Sequence, residues 1–198
     1  MTVDEKNLCR QFEKTIKVPR QKLRPPLMIG LFGKIGSGKS TVAQLIAKKI
    51  PVVVLRTDIP RTMIIKKFGH KYNTIKRVKR IVSGTVLDLL GQNISVLIDA
   101  GNLGQNNRQS FVRLAKKHKT KMIWLHITCP ESEILRRINK RQHLKDGLLE
   151  FGELADVKLY FNRKKIYEKN KKKINYFATI NTNKPLASQI NKLVKRLI

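Results

Sequence analysis

Residues Gly33, Gly38, Lys39 and Ser40 stand in the spacing GxxxxGK[ST], inside the run GKIGSGKST that ends at Thr41. Glycines in that pattern let backbone amides curl around an anion that a β-carbon would obstruct, and phosphate oxygens suit such a curl. Lys39 supplies a mobile charge for the outer phosphates of a nucleotide, and the Ser40 hydroxyl is a ligand for Mg²⁺. Lys34 and Ile35 fill the variable positions, while Gly36 and Ser37 add freedom to the turn. The whole stretch, Gly33, Lys34, Ile35, Gly36, Ser37, Gly38, Lys39, Ser40 and Thr41, is the expected nucleotide-binding loop.

Two carboxylates have the position to act beside such a loop. Asp99 closes the apolar run SVLID and has the form of a Walker B acid, which holds the magnesium shell directly or through water. Asp58, in LRTDIPR, follows a second apolar run, with Arg61 three residues on. A carboxylate beside an arginine can accept a hydroxyl proton while the arginine fixes a substrate phosphate. The plainer alternative makes Asp58 the cap of a following helix, with Pro60 near its first turn. Downstream, ESEILRRINKRQ puts Arg137 and Arg141 on one helix face. Like charges four apart disfavour an isolated helix by about 0.2–0.5 kcal/mol, a cost that an anionic ligand relieves; a solvated face is the alternative.

These residues need elements to hold them. Apolar runs at 28–32, 52–55, 96–98, 122–127 and 177–180 alternate with helical patterns, which predicts a parallel sheet covered on both faces. In such a sheet ligands collect at the carboxyl ends of the strands, where Asp58 and Asp99 both fall. Val42, Leu45, Ile46 and Ile50 give the loop a helix to lead into, and further helices are expected over 74–90, 108–118, 131–141 and 186–197. Leu8, Phe12 and Ile16 mark a short amphipathic helix that the prolines of PRQKLRPP end. Residues 1–24 therefore read as a helical extension with a proline-containing linker, packed on or tethered to a main domain of residues 25–198.

The composition bounds the partners. Over 198 residues, 43 lysines and arginines face 13 acids, a net charge of +30. AT-rich codons alone would raise Glu and Asp along with Lys, so a polyanion such as RNA or DNA is an expected partner, beside the alternative of a generally basic surface. No apolar run approaches the ~18 residues of a membrane span, and residues 1–24 lack a secretory core, so a soluble cytoplasmic protein without a membrane partner is expected. Cys9, Cys129 and the four histidines show no metal-ligand spacing.

With GKIGSGKST, RTDIPR, VLIDAGN, Arg108 in NNRQSF and ITCPESEILRRINKR in this order, the chain from about Leu27 onward resembles the small P-loop kinases. Within them it is similar to the group of polynucleotide 5′-kinases, zeta-toxin-like kinases and AAA_33-type relatives. The resemblance implies an α/β fold, a P-loop NTPase three-layer α/β/α sandwich with a five-stranded parallel sheet and a helical lid. It implies ATP and Mg²⁺ as cofactors, Asp58 as general base, Arg61 and Arg108 as substrate contacts, and Arg137 or Arg141 as the lid arginine. Lys39 would hold the phosphates, with Ser40 and Asp99 at the metal. Pro60, inside the Asp58–Arg61 pattern, departs from the group.

The expected activity is transfer of the γ-phosphate of ATP to a hydroxyl. A nucleic-acid 5′-hydroxyl is the preferred acceptor because Lys66, Lys67, Lys71, Lys76, Arg77, Lys79 and Arg80 lie between the second and third strands, where the resemblance puts the acceptor. The alternatives are a small-molecule kinase acting on a nucleotide, nucleoside or sugar, and a nucleotide-switched RNA- or ribosome-binding ATPase. NTNK at 181–184 is no match to a guanine-reading NKxD, which favours ATP over GTP.

Overall fold

The computed structural model describes residues 3–72, 75–100, 104–143 and 157–198. Strand β1 (Leu27–Gly33) is buried along its whole length, so its sequence LMIGLFG carries no polar alternation. It pairs in parallel with β3 (Val96–Asp99) on one side and β4 (Lys121–Thr128) on the other. The short edges are β2 (Val53–Arg56) beside β3 and β5 (Ala178–Asn181) beside β4, giving the order β2-β3-β1-β4-β5. The expected five-stranded parallel sheet is present, each strand within about two residues of its apolar run.

The chain passes from β1 to β2 over the place that β3 later fills. This crossover sets β3 directly against β1, and its register, Gly30 opposite Ile98, carries Asp99 to the level of Leu31, just below the loop. Alternate residues of β1 then face two cores. Met28 joins α1 (Val3–Lys14), α4 (Ile75–Gly91) and α5 (Gln105–Lys117), while Leu27, Ile29 and Leu31 join α2 (Lys39–Ala47) and α8 (Leu186–Lys195). Three layers result, with α3 (Asp58–Phe68), α6 (Glu131–His143) and α7 (Val157–Lys171) at the carboxyl edge and flanks of the sheet.

Helix α1 is more than a tethered arm. Leu8 and Phe12 are 2% and 1% exposed within the α4–α5 core, and Asp4 and Glu5 reach Lys67, Arg77 and Arg80. Helix α7 is an element that the apolar pattern did not announce. Its buried residues are Tyr160, Tyr167 and Asn170, a narrow polar-tipped stripe among lysines rather than an aliphatic face. Among the described residues no helix is long and apolar enough to cross a membrane.

Candidate active site

The loop between β1 and α2 turns through Gly36 (φ 75°) and Gly38 (φ 85°), left-handed conformations that an L side chain resists. Gly38 immediately precedes α2, so the first-turn amides of Lys39, Ser40 and Thr41 have no intrahelical acceptor and, with the helix dipole, form an anion site. A β-carbon on Gly38 would also press to 3.0 Å from Thr182, the residue after β5, whose hydroxyl donates to the Ser37 carbonyl at 2.9 Å. Lys39 Nζ donates to the carbonyls of Lys34 (2.6 Å) and Gly33 (3.2 Å), which holds the ammonium across the loop. Ser40 and Thr41 are exposed at its rim.

The side chains of Lys34 and Ile35, expected among the nucleotide contacts, face the flank instead. Lys34 Nζ lies 3.8 Å from Glu131 and 3.6 Å from Glu168, and 5.3 Å above the Tyr167 ring. Ile35 packs on Ile134, Ile138 and Tyr160. Both side chains fasten the loop to α6 and α7, because the loop's backbone, rather than these side chains, lines its concave face.

At the ends of β2 and β3 the expected carboxylates come together. Asp99 is buried, in register with Arg56, and its carbonyl accepts from the Thr57 amide at 3.3 Å. Thr57 precedes α3, so Asp58 is its first residue and not the cap of the plainer reading. Burial pushes the Asp58 carboxyl up. Arg61 opposes that shift, Asp99 adds to it, and Arg56 and Lys39 oppose it further. Solvent still reaches Asp58. Asp58 is thus crowded by protein on one side and open to solvent on the other. Arg61 Nε is buried and makes no hydrogen bond among the described residues.

Arg137 reaches the loop from α6. Its Nε donates to Glu133 at 2.7 Å, its Nη1 to the Thr182 hydroxyl at 3.0 Å and its Nη2 to the Thr182 carbonyl at 3.1 Å. Arg136 and Arg137 together hold the Glu133 carboxyl down at about 2. The backbone of α6 includes Arg141, but that side chain lies outside the described residues.

Arg108, expected at the substrate, is not brought into the cleft. It is 5% exposed, donates to Asn170 of α7 at 3.0 Å and lies 5.5 Å over the Phe32 ring. Apolar Phe111 and Ala115 pull this face of α5 into the core, and Arg108 goes with them. Tyr167, Tyr176 and His126 complete the cluster, with His126 Nε2 and the Tyr167 hydroxyl 2.7 Å apart. Burial and then Lys171 lower the His126 pKa, which favours its neutral form. Arg56 and Thr182 also stand at strand ends, the positional signal that marks Asp58 and Asp99, but neither belongs to a recognisable motif.

A family model described as an AAA domain, AAA_33, matches residues 28–161, more than half of the chain. The chain belongs to this family. No curated protein matches its sequence. Among solved structures, this AAA_33 chain resembles Chaetomium thermophilum Kti12 in complex with ADP-AlF3, with 17% identity, a TM-score of 0.65, and coverage of 86% of this chain and 96% of that one. Mycobacterium tuberculosis APS kinase CysC, in complex with AMPPNP and APS, matches at 16% identity and a TM-score of 0.57 over 87% and 98%. A chain of the Pnkp1/Rnl/Hen1 RNA repair complex matches at 21% identity and 0.60 over 79% of this chain, which spans 49% of that one's length. At these identities the likeness establishes a P-loop kinase-like fold.

Proposed function

We propose that this AAA_33 domain transfers the γ-phosphate of ATP to a hydroxyl, with a nucleic-acid 5′-hydroxyl as acceptor. The observation that carries this reading is the convergence of Asp58, Asp99, Arg56, Arg61 and Lys39 in one electrostatic neighbourhood beside the loop. The loop residues fit a nucleotide, because two left-handed glycines, a crossing ammonium and unbonded helix amides all favour phosphate oxygens. The ligands of Kti12 and APS kinase, ADP-AlF3 and AMPPNP, support an adenine nucleotide. Among the described residues no three His, Cys, Asp or Glu side chains form a metal cage. Ser40 and Asp99 instead suit Mg²⁺, which takes few protein ligands together with substrate phosphates. Bound there, the ion would neutralise charge on those phosphates.

In the reaction, the Asp58 carboxylate takes the proton as the acceptor oxygen bonds to the γ-phosphorus and the bond from that phosphorus to the β–γ bridging oxygen breaks. The raised Asp58 pKa makes it a better base than an ordinary aspartate. Lys39 and the loop amides hold the departing phosphate chain, Arg61 holds the acceptor, and Arg137 adds charge from α6.

The nucleic-acid acceptor is supported by the lysines of α3 and α4 and by the RNA-repair neighbour. One observation favours a small acceptor as a second reading: Lys67, Arg77 and Arg80 are already paired with Asp4 and Glu5 of α1. The test is label transfer from γ-labelled ATP to 5′-hydroxyl RNA and DNA, nucleoside monophosphates and sugars. Labelled nucleic acid is expected, labelled small acceptors alone would select the second reading, and nucleotide binding without any labelled acceptor overturns the transferase.

A further inference from the structure

Thirteen acids are spread over the chain, yet none falls within residues 100–130 or 169–198, which carry six and eight cations respectively. The fold brings these two acid-free runs together. β4 pairs with β5, the Phe177 amide donates to the Trp124 carbonyl at 2.9 Å, and Tyr176 stacks on His126 with centroids 4.4 Å apart. Phe177 lies between two cations, Lys121 Nζ at 5.7 Å and the Arg196 guanidinium at 4.4 Å, and Arg196 also donates to its carbonyl at 3.0 Å.

Strands in a parallel sheet start where the preceding helices end, so the last turns of α5, α7 and α8 and the first residues of β4 and β5 share the edge opposite the phosphate loop. Lys117, Lys119, Lys121, Lys172, Lys173 and Arg196 are all exposed there, and no ion pair among the described residues engages any of them. Lys119 adds an independent sign. It follows α5 with φ 51°, a left-handed position that favours glycine or asparagine, and a lysine there costs on the order of 1 kcal/mol. The α5 dipole is already served by Lys116 and Lys117, so the helix itself gives little reason to keep a third cation at that cost.

We propose that this edge is a second polyanion-binding face, which holds the phosphate backbone of a nucleic acid away from the transfer site. A backbone carries no sequence information and asks for cations set near one another, as Lys121 and Arg196 are about the Phe177 ring. The last turns of α5, α7 and α8 meet the edge end-on, a geometry that suits a bilayer less well than a helix lying flat on it. The inference does not rest on the identity of the acceptor.

The test compares wild type with Lys117→Gln/Lys119→Gln/Lys172→Gln/Lys173→Gln and with a control of equal charge change on the first turns of α1 and on the body of α7, Lys6→Gln/Arg10→Gln/Lys158→Gln/Lys165→Gln. Anisotropy of labelled single-stranded RNA and DNA is titrated across a range of salt, with a fluorescent ATP analogue and anionic phosphatidylserine vesicles in parallel. Four lost contacts should flatten the log–log salt dependence by about 3 and weaken binding about tenfold or more, for RNA and DNA alike, while the control keeps its slope. ATP-analogue binding stays unchanged in both variants, so the result stands or falls whether or not any acceptor is phosphorylated. An unchanged slope, equal losses in the two variants, or vesicle binding without nucleic-acid binding overturns the proposal.

Discussion

Asp58 is where structure and chemistry meet most closely, because burial raises its pKa while Arg56, Arg61 and Lys39 limit the rise. A general base must be ionised, so kcat/KM should fall as pH drops through the raised pKa. The acid limb of the pH–rate profile is then expected above the usual aspartate range, and Asp58→Glu shifts it while Asp58→Asn abolishes it. Linkage gives a second consequence of the same sign. A carboxyl whose folded pKa lies above its unfolded value contributes stability below the unfolded pKa and loses it as pH rises through the folded pKa. Asp58→Asn should therefore raise Tm at neutral pH, a gain that calorimetry reads directly. Arg137→Ala removes the link to Thr182 and the charge above the loop, and kcat should fall about 10²-fold. Lys39 could be read from the spacing of its motif, and Asp58 and Asp99 because strand ends are visible as the ends of apolar runs. Arg108 was visible in the sequence too, whereas its burial was not, because that depends on Phe111 and Ala115 of the same helix meeting the core.

At the scale of elements, the loop is clamped from two sides. Ile134 and Ile138 of α6 pack beneath Ile35, and Glu131 links Lys34 with Tyr160 and Lys164 of α7. Tyr160→Phe removes one donor from a Glu131 oxygen that keeps Lys164 at 2.6 Å; stability should fall only slightly, with nucleotide affinity the more sensitive readout. Neither this clamp nor α7 could be read from periodicity, since a helix whose buried face is Tyr160, Tyr167 and Asn170 shows no aliphatic stripe. Helix α1, by contrast, was visible through Leu8, Phe12 and Ile16, but its burial was not, because an amphipathic helix looks the same whether it caps a core or waits for a partner. Phe12→Ala should cost about 3–5 kcal/mol in urea unfolding if α1 completes the α4–α5 core as its 1% exposure indicates.

For the whole molecule, the excess of positive charge was plain from composition, whereas its distribution depended on the fold. The acceptor side has part of its charge answered by Asp4 and Glu5, while the opposite edge gathers two acid-free runs that lie far apart along the chain. Strand order was equally hidden in the sequence. The insertion of β3 between β1 and β2 sets Asp99 and Asp58, from different strands, at neighbouring strand ends. That arrangement is the basis of the transferase reading. Its most direct test is single-turnover transfer of labelled γ-phosphate from ATP to the labelled acceptor, by wild type and Asp58→Asn, with ATP binding measured on the same samples. A loss of about 10²–10⁴-fold in transfer with ATP affinity unchanged is the predicted result. Transfer by Asp58→Asn at the wild-type rate would contradict it.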